Sequence, residues 1–340
     1  MDYTSHVTRD ASRVTNIMIK RKLTKTINLG GVKIGGIAPV SVQSMTKTDT
    51  RDVEKTVNQI KSLENMGCEI VRLAIPDEKA VEAFSEIKKK VRIPLVADIH
   101  FDYRLATGSI RAGADCIRIN PGNIGGRDKI KLVVNEAKAR EIPIRIGINS
   151  GSIEKDLLAK YGHPTPEAMV ESVLRHIEIM EDLNFYSLKL SLKSSDVMDT
   201  VEAYRIISSK TDYPLHLGIT EAGSSLAGTV KSSIGLGILL SEGTGDTLRV
   251  SLTAPPEEEV LAGYEILRTL GLREKAVEII SCPTCGRCEV NLFNLVKEIK
   301  EKTNHINRPL VIAIMGCVVN GPGEAKEADV GIACGKGTGV

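Results

Sequence analysis

Eight short, β-rich apolar runs punctuate the first three quarters of this chain, at residues 41–45, 69–75, 93–99, 116–120, 142–148, 187–193, 214–220 and 247–252. Helical patterns lie between them. In 52–66, Val53, Val57, Ile60 and Leu63 recur at spacings of three and four, and 78–90, 167–183 and 196–209 read the same way. Strand starts recur every 23 to 45 residues, which suits right-handed βαβ units joining parallel strands. Eight such units over about 250 residues describe an α/β fold closed as a TIM (β/α)8 barrel. A doubly wound open sheet shares the alternation, but eight units favour closure.

Residues 150–166 add a segment after the fifth strand, read as a short helix at 154–161 ended by His163-Pro164-Thr165-Pro166 at the barrel mouth. A last helical pattern, 256–270, stops at Gly271, and beyond it the chain changes character, carrying five of the seven cysteines. The expectation there is a small α+β domain: a strand at 276–281, a cysteine loop, a helix at 290–303, a strand at 309–315, a Cys/Gly loop and a strand at 329–334. The chain thus divides into an N-terminal extension (1–24), a barrel (25–272) and a cysteine-bearing domain (273–340).

Composition narrows the partners. Lys+Arg 45 against Asp+Glu 43 leaves a net charge of +2, too even for a nucleic-acid footprint or a polybasic membrane anchor. Aromatics are 3% with no Trp, which leaves little for stacking bases. No apolar run reaches the roughly 18 residues of a membrane span, and the first 24 residues lack the apolar core of a secretory signal. The expected location is the reducing cytoplasm, where clustered thiols bind metal more often than they pair.

Polar and charged groups stand in the predicted strands at even spacings, so each set points to one face. They are Arg72; Asp98 and His100; Arg118 and Asn120; Arg145 and Asn149; Lys189, Ser191 and Lys193; and Arg249. They cluster toward strand C-termini, the barrel face where active sites form. One such cation is explained by an acidic neighbour. Four Arg and two Lys converging on one mouth would stay uncompensated at several kcal/mol each unless an anion meets them. Guanidinium forks suit phosphate oxygens, so a small, diphosphorylated substrate is expected. Asp98 and Glu221, at or just past strand ends, are either general acid/base groups or Arg partners; His100 and His216 read as structural hydrogen-bonders. The glycine-rich stretches 121–126 and 243–245 could cradle phosphate, but neither matches a P-loop or a dinucleotide fingerprint.

Cys282-Pro283-Thr284-Cys285 forms a C-x-x-C pair, Cys288 follows three residues on, and Cys317 lies 32 residues after Cys285. Such loops hold metal; zinc competes with an iron-sulfur centre, although a second C-x-x-C pair is missing. Cys68 and Cys116 sit in apolar company and read as core thiols.

Val42-Gln43-Ser44-Met45-Thr46, the segments 97–104 and 117–123, Leu215-His216-Leu217-Gly218-Ile219-Thr220-Glu221-Ala222-Gly223 and the loop 316–324 together resemble the 4-hydroxy-3-methylbut-2-enyl diphosphate synthase family, from about Leu23 onward. The resemblance implies an iron-sulfur oxidoreductase of isoprenoid biosynthesis by the methylerythritol phosphate pathway. Its 4Fe-4S cluster would be held by Cys282, Cys285, Cys317 and Glu324, and its electron donor would be ferredoxin or flavodoxin. The substrate it implies is 2-C-methyl-D-erythritol 2,4-cyclodiphosphate, opened reductively with loss of water to (E)-4-hydroxy-3-methylbut-2-enyl diphosphate. On that reading Arg72, Arg118, Arg145, Lys193 and Arg249, with Asn120 and Asn149, hold the diphosphate, Asp98 and His100 line the site, Glu221 delivers a proton, and Glu324 gives one iron a replaceable oxygen ligand.

The last barrel helix should run roughly 22 Å from the mouth to the opposite face, leaving the cysteine domain tethered at the far end. A homodimer in which each cluster domain caps the partner's barrel solves this, and the resemblance implies it too. Three features depart from the family pattern: Cys288, which makes a Cys282/Cys285/Cys288 ligand set possible on spacing; the end at Val340, where relatives continue; and the stretch before Leu23. The alternative from another class is a metal-stabilised barrel aldolase or isomerase acting on a phosphorylated sugar, with Lys189 or Lys193 as Schiff-base lysine.

Overall fold

The computed structural model describes residues 19–273, 277–303, 306, 309–317, 319, 321–335 and 338–339. They fall into two compact units that divide after Leu272. Most of the expected extension, residues 1–18, lies outside the described residues.

The larger unit spans Ile19–Leu272. Its first residues are tied to the barrel: the Lys22 N–H donates to the Gly243 carbonyl at 2.8 Å, and Arg21 reaches Asp246 at 3.0 Å. Next comes a hairpin, β1 (Ile27–Leu29) and β2 (Val32–Ile34), turned by Gly30 and Gly31 at positive φ. Its Ile27, Leu29 and Ile34 pack on Ile70, Val96 and Cys116 near the starts of three barrel strands, closing the barrel floor.

All eight expected barrel strands form: β3 (Ser41–Met45), β4 (Ile70–Ala74), β5 (Leu95–Asp98), β6 (Cys116–Ile119), β7 (Ile144–Asn149), β8 (Leu188–Lys193), β9 (His216–Leu217) and β10 (Thr247–Leu248). They are parallel in the order β8-β7-β6-β5-β4-β3-β10-β9, and a parallel bridge from Leu190 to Leu215 joins the two ends. The fold is therefore a TIM barrel, with every strand but β9 and β10 at least four residues long. Helices between the strands start where short polar residues cap them. Asp52, Asp77, Thr165 and Asp196 each accept a hydrogen bond from the backbone N–H three residues on. The helices Val53–Asn65, Glu78–Lys90, Pro166–Asp182, Val197–Lys210 and Pro256–Thr269 lie within two residues of their sequence patterns. A helix at Lys155–Tyr161 follows β7, as expected.

Period-two alternation divides the strands between two environments. Val71, Leu73, Leu95, Ala97, Ile117, Ile119, Ile144, Ile146, Leu188 and Leu190 join the main apolar core with the helices. Between them Arg72, Asp98, Arg118, Arg145, Lys189 and Lys193 are buried as well, on the opposite face of the same strands, which in a closed barrel is its lumen. A barrel interior usually holds branched aliphatic layers; this one is aliphatic only near its floor and cationic above.

The smaller unit has β11 (Val277–Ser281), β12 (Leu310–Met315) and β13 (Val330–Gly335) parallel in that order, with β14 (Thr338–Gly339) antiparallel to β13. The helix Leu292–Thr303 packs on β11 and β12 through Leu292, Leu295, Val296 and Ile299. The two-residue β14 is too short to leave a sequence pattern. No described helix is long and apolar enough to cross a membrane.

Candidate active site

Strand register builds the cationic lumen. Asp98 pairs with Arg118 across β5 and β6, Arg118 with Arg145 across β6 and β7, and Arg145 with Lys189 across β7 and β8. One carboxylate thus begins a row continued by three cations. Asp98 Oδ1 accepts from Arg118 Nη1 at 3.2 Å, and Oδ2 lies 3.6 Å from Arg72 Nε. Arg118 Nη2 donates to the Gly147 carbonyl at 3.2 Å, and Arg145 Nε donates to Ser191 Oγ at 3.0 Å. Arg145 Nη1, Arg118 Nε, Lys189 Nζ and His216 Nε2 are buried with no hydrogen-bond partner.

The electrostatics match that count. Burial pushes Arg72 down to about 10, with Asp98 opposing, and pushes Lys189 down to about 8, with Arg145 and Arg72 adding repulsion. Burial and the neighbouring arginines force Arg145 and Lys193 well below their ordinary ranges. Burial alone would raise Asp98, but Arg72, His100 and Arg118 overrule it and hold its carboxyl below the usual range. A guanidinium does not shed its proton near neutrality, so these depressions express an unmet demand for negative charge. An anion carrying several oxygens satisfies it.

Two glycines make room for the cations. A Cβ on Gly147, in β7, would stand 2.4 Å from Arg118 Nε, and a Cβ on Gly218, just past β9, would stand 2.5 Å from Lys193 Nζ. Neither position drew notice in the sequence, because the space beside a glycine depends on the neighbouring strand.

Arg249 is differently placed. Its Nε and Nη2 donate to the Glu259 carboxylate at 3.1 to 3.2 Å. Glu259 is 1% exposed and also takes Lys47 Nζ at 3.1 Å, Ser44 Oγ at 3.1 Å and the Leu252 N–H at 3.1 Å. Lys47 donates to the Leu252 and Ala254 carbonyls too. This carboxylate hub ties β3 to the segment after β10. Sequence reasoning missed Glu259, because acids in a helix's first turn ordinarily serve the helix dipole.

The remaining expected residues lie around the C-terminal ends of the strands. Asn120 follows β6 and caps the helix Pro121–Ile124, accepting from the Gly122 N–H while its Nδ2 donates to the Ser152 carbonyl at 3.2 Å. Asn149 ends β7, and its N–H donates to Ser152 Oγ at 3.0 Å. His100 is exposed, with Nε2 3.7 Å from Asp98 Oδ2. Glu221 is exposed at φ 51°, a left-handed backbone that costs a non-glycine residue about 1–3 kcal/mol and tends to persist at functional sites. His216 Nδ1 meets Thr247 Oγ1 at 2.6 Å, a structural bond as expected. Cys68 and Cys116 are buried in the barrel.

The smaller unit gathers thiols around Gly316. Its N–H lies 3.3 Å from Cys282 Sγ, and a Cβ there would stand 2.5 Å from Cys288 Sγ and 3.5 Å from Cys282 Sγ. Cys285 is exposed, and hydrogen bonds from Arg287 lower its thiol, favouring the thiolate that binds metal. Cys317 is half-buried directly after Gly316; the side chain of Glu324 lies outside those described. A soft donor set of thiols over a backbone that only glycine leaves open fits an iron-sulfur centre. No three described His, Cys, Asp or Glu side chains converge as a group that could hold a single metal ion.

Comparison with known proteins bears on both units. Residues 24–264 match the GcpE TIM-barrel domain, and residues 278–340 match the GcpE protein C-terminal domain. A 4-hydroxy-3-methylbut-2-en-1-yl diphosphate synthase (flavodoxin) of Thermodesulfovibrio yellowstonii is 62% identical over 323 residues, covering 95% of this chain and 93% of that protein. Its namesake in Caldanaerobacter subterraneus subsp. tengcongensis is 62% identical, covering 95% and 91%. The namesake in Geobacter sulfurreducens is 57% identical, covering 93% and 90%. Among solved structures, dihydropteroate synthase from Stenotrophomonas maltophilia superposes on 72% of this chain and 97% of its own with TM-score 0.53 at 13% identity, a likeness of fold alone.

Proposed function

We infer the reaction from one premise: the chain belongs to the GcpE family, whose two domain models account for residues 24–264 and 278–340. It is an oxidoreductase of isoprenoid biosynthesis that converts 2-C-methyl-D-erythritol 2,4-cyclodiphosphate to (E)-4-hydroxy-3-methylbut-2-enyl diphosphate. In balance, the cyclic diphosphate takes up two electrons and two protons and gives the open diphosphate and water. The observation that carries this for the chain itself is the barrel lumen, where buried cations outnumber acids and await a polyanion. The aldolase/isomerase alternative fits the same mouth but not the family, and its candidate Lys189 is wholly buried with no exposed surface.

Cys282, Cys285, Cys317 and Glu324 would hold a 4Fe-4S cluster, which when bound supplies low-potential electrons one at a time. The protein's own groups do the rest. Arg72, Arg118, Arg145 and Lys193 grip the diphosphate, and Asp98 keeps Arg72 and Arg118 aimed inward while offsetting one charge. Glu259 presets Arg249, whose Nη1 meets the same Met45 Sδ as Arg72. Asn120, Asn149 and His100 edge the site, and Glu221 holds a proton for the oxygen that departs as water. Enclosure of the ligand among buried cations keeps bulk water from screening them.

Flavodoxin, which forms part of the relatives' names, is the donor we assign in preference to ferredoxin. A cytoplasmic location agrees with thiols kept reduced. The chain acts as a homodimer in which each cluster domain serves the partner's barrel. A chain lacking Cys282 mixed with one lacking Arg145 should then regain activity, whereas inactive mixed dimers would place the two domains of one chain together. The binding claim is tested by calorimetry with inorganic pyrophosphate on the full chain. Arg145→Met should weaken binding at least tenfold, and unchanged affinity would remove the lumen from the site.

A further inference from the structure

We propose that Cys288 is the redox partner of Cys282, and that in the cluster-free chain the two form a reversible disulfide that shields Cys282 until a cluster is loaded. Neither the cluster ligand set nor the barrel chemistry gives Cys288 a role. The backbone does. Cys282 N–H donates to the Ile314 carbonyl at 3.3 Å, and Glu289 N–H donates to the Gly316 carbonyl at 3.1 Å. Carbonyls two apart on a strand face the same edge, so the chain leaves the edge of β12 at Cys282, makes a loop, and rejoins the same edge one hydrogen bond further along. The Cys288 N–H closes that loop on the Cys285 carbonyl at 2.9 Å. Cys282 is thus one foot of the loop and Cys288 directly precedes the other, Glu289, with Cys285 in the loop between them.

The side chains agree with the backbone. Both sulfurs crowd the one space above Gly316 that a methyl group would fill, at 2.5 Å from Cys288 Sγ and 3.5 Å from Cys282 Sγ. Among the described residues Cys288 Sγ is otherwise hydrogen-bonded to the Val290 carbonyl at 3.3 Å, a weak thiol bond that a rotation about its side chain releases. Disulfides need Cα atoms about 4.4–6.8 Å apart, and two sulfurs within 3.5 Å of one point above Gly316 are within reach of each other by side-chain rotation. Cys285 is exposed in the loop, and Cys334, buried within β13, is near enough to feel both sulfurs, which makes it the competitor the test must separate.

The chemistry balances with hydrogen peroxide as oxidant. One thiolate attacks the O–O bond, giving a sulfenic acid and water; the second thiolate displaces the sulfenic oxygen as a second water and forms the S–S bond. Two thiols lose two electrons, and the peroxide gains them. A dithiol reductant reverses the step. Without Cys288 the sulfenic acid on Cys282 loses this resolving thiol and is more open to the irreversible sulfinic acid.

The pairing rests on this unit's geometry alone; only its consequence for cluster loading rests on Cys282 being a ligand. The test treats the full, cluster-free chain with one equivalent of hydrogen peroxide, alkylates the remaining thiols and maps tryptic peptides, since cleavage after Arg287 separates Cys288 from Cys282 and Cys285. Expected is a cross-link between the two peptides, with fragmentation placing it on Cys282 and loss on reduction. Iron and sulfide are then reconstituted after reduction: wild type should regain full loading, and Cys288→Ser should load several-fold less, with sulfinic acid at Cys282. A cross-link of Cys288 to Cys334, one of Cys285 to Cys317, or no thiol loss overturns the pairing. Equal loading of peroxide-treated Cys288→Ser and wild type overturns the protective role. Failure of untreated wild type to load a cluster, with the cross-link intact, overturns the ligand reading and leaves the pairing standing.

Discussion

Gly147→Ala isolates the lumen's geometry in one methyl group. Gly147 lies within β7 at a backbone conformation open to alanine, so the substitution adds no strain of its own. The new Cβ would meet Arg118 at 2.4 Å from Nε, 3.1 Å from Nη2 and 3.2 Å from Cζ, distances at which the guanidinium must swing away. Swinging away breaks the 3.2 Å bonds from Nη1 to Asp98 and from Nη2 to the Gly147 carbonyl. A charge-assisted bond contributes about 1.5–3 kcal/mol, so if Arg118 delivers one such bond to the substrate diphosphate, kcat/KM should fall roughly 10- to 150-fold. The assay is steady-state turnover of the cyclic diphosphate by cluster-loaded enzyme, alongside a thermal melt. Folding should survive, because Gly→Ala returns about 0.4–1 kcal/mol through the unfolded chain. A double-mutant cycle with Arg118→Ala sharpens the test: a methyl that acts only by evicting Arg118 costs nothing once Arg118 is gone. Wild-type kcat/KM for Gly147→Ala, or full additivity with Arg118→Ala, would refute the reasoning.

Glu259→Gln should leave Arg249 and Lys47 without their shared counter-charge and raise KM several-fold while changing kcat less, read from full saturation curves; a pure kcat effect would contradict the positioning role. Lys189 is charged at pH 7 in both folded and unfolded chains, so its burial penalty is fully present there; between about 8 and its ordinary 10.5 the unfolded chain binds the extra proton and stability rises with pH. Lys189→Met should therefore stabilise the ligand-free protein at pH 7 by up to about 3 kcal/mol in urea unfolding, with the gain fading as pH rises from about 8 to 10.5; a destabilised variant at pH 7 would show that the lysine is paired. Glu221→Gln should lower kcat at least tenfold with pyrophosphate affinity unchanged, and weakened affinity instead would make Glu221 a binding group.

The barrel was legible because its two periodicities differ so plainly: Val71 and Leu73 flank Arg72 in one strand, while Val53, Val57, Ile60 and Leu63 step round a helix. The same alternation exposed the lumen cations, since a charge between two buried aliphatics can only face the other side. What escaped notice depended on tertiary contacts. The strands of the floor hairpin are three residues each, too short for a pattern to emerge around Gly30-Gly31. Gly147 and Gly218 matter for the side chains of neighbouring strands, and Glu259 for donors from β3 and the β10 end, none adjacent in sequence. Cys288 drew attention as an alternative cluster ligand on spacing; its place beside Cys282 arises from how the loop rejoins β12.

The account's central claim is met most directly by anaerobic incubation of the cluster-reconstituted full chain with 2-C-methyl-D-erythritol 2,4-cyclodiphosphate, flavodoxin and a reductant, followed by mass spectrometry. The expected result is an open-chain diphosphate lighter than the substrate by one oxygen, formed with two electrons consumed per molecule. Unconverted cyclic diphosphate in the presence of a fully loaded cluster, or a product that keeps every oxygen, would contradict it.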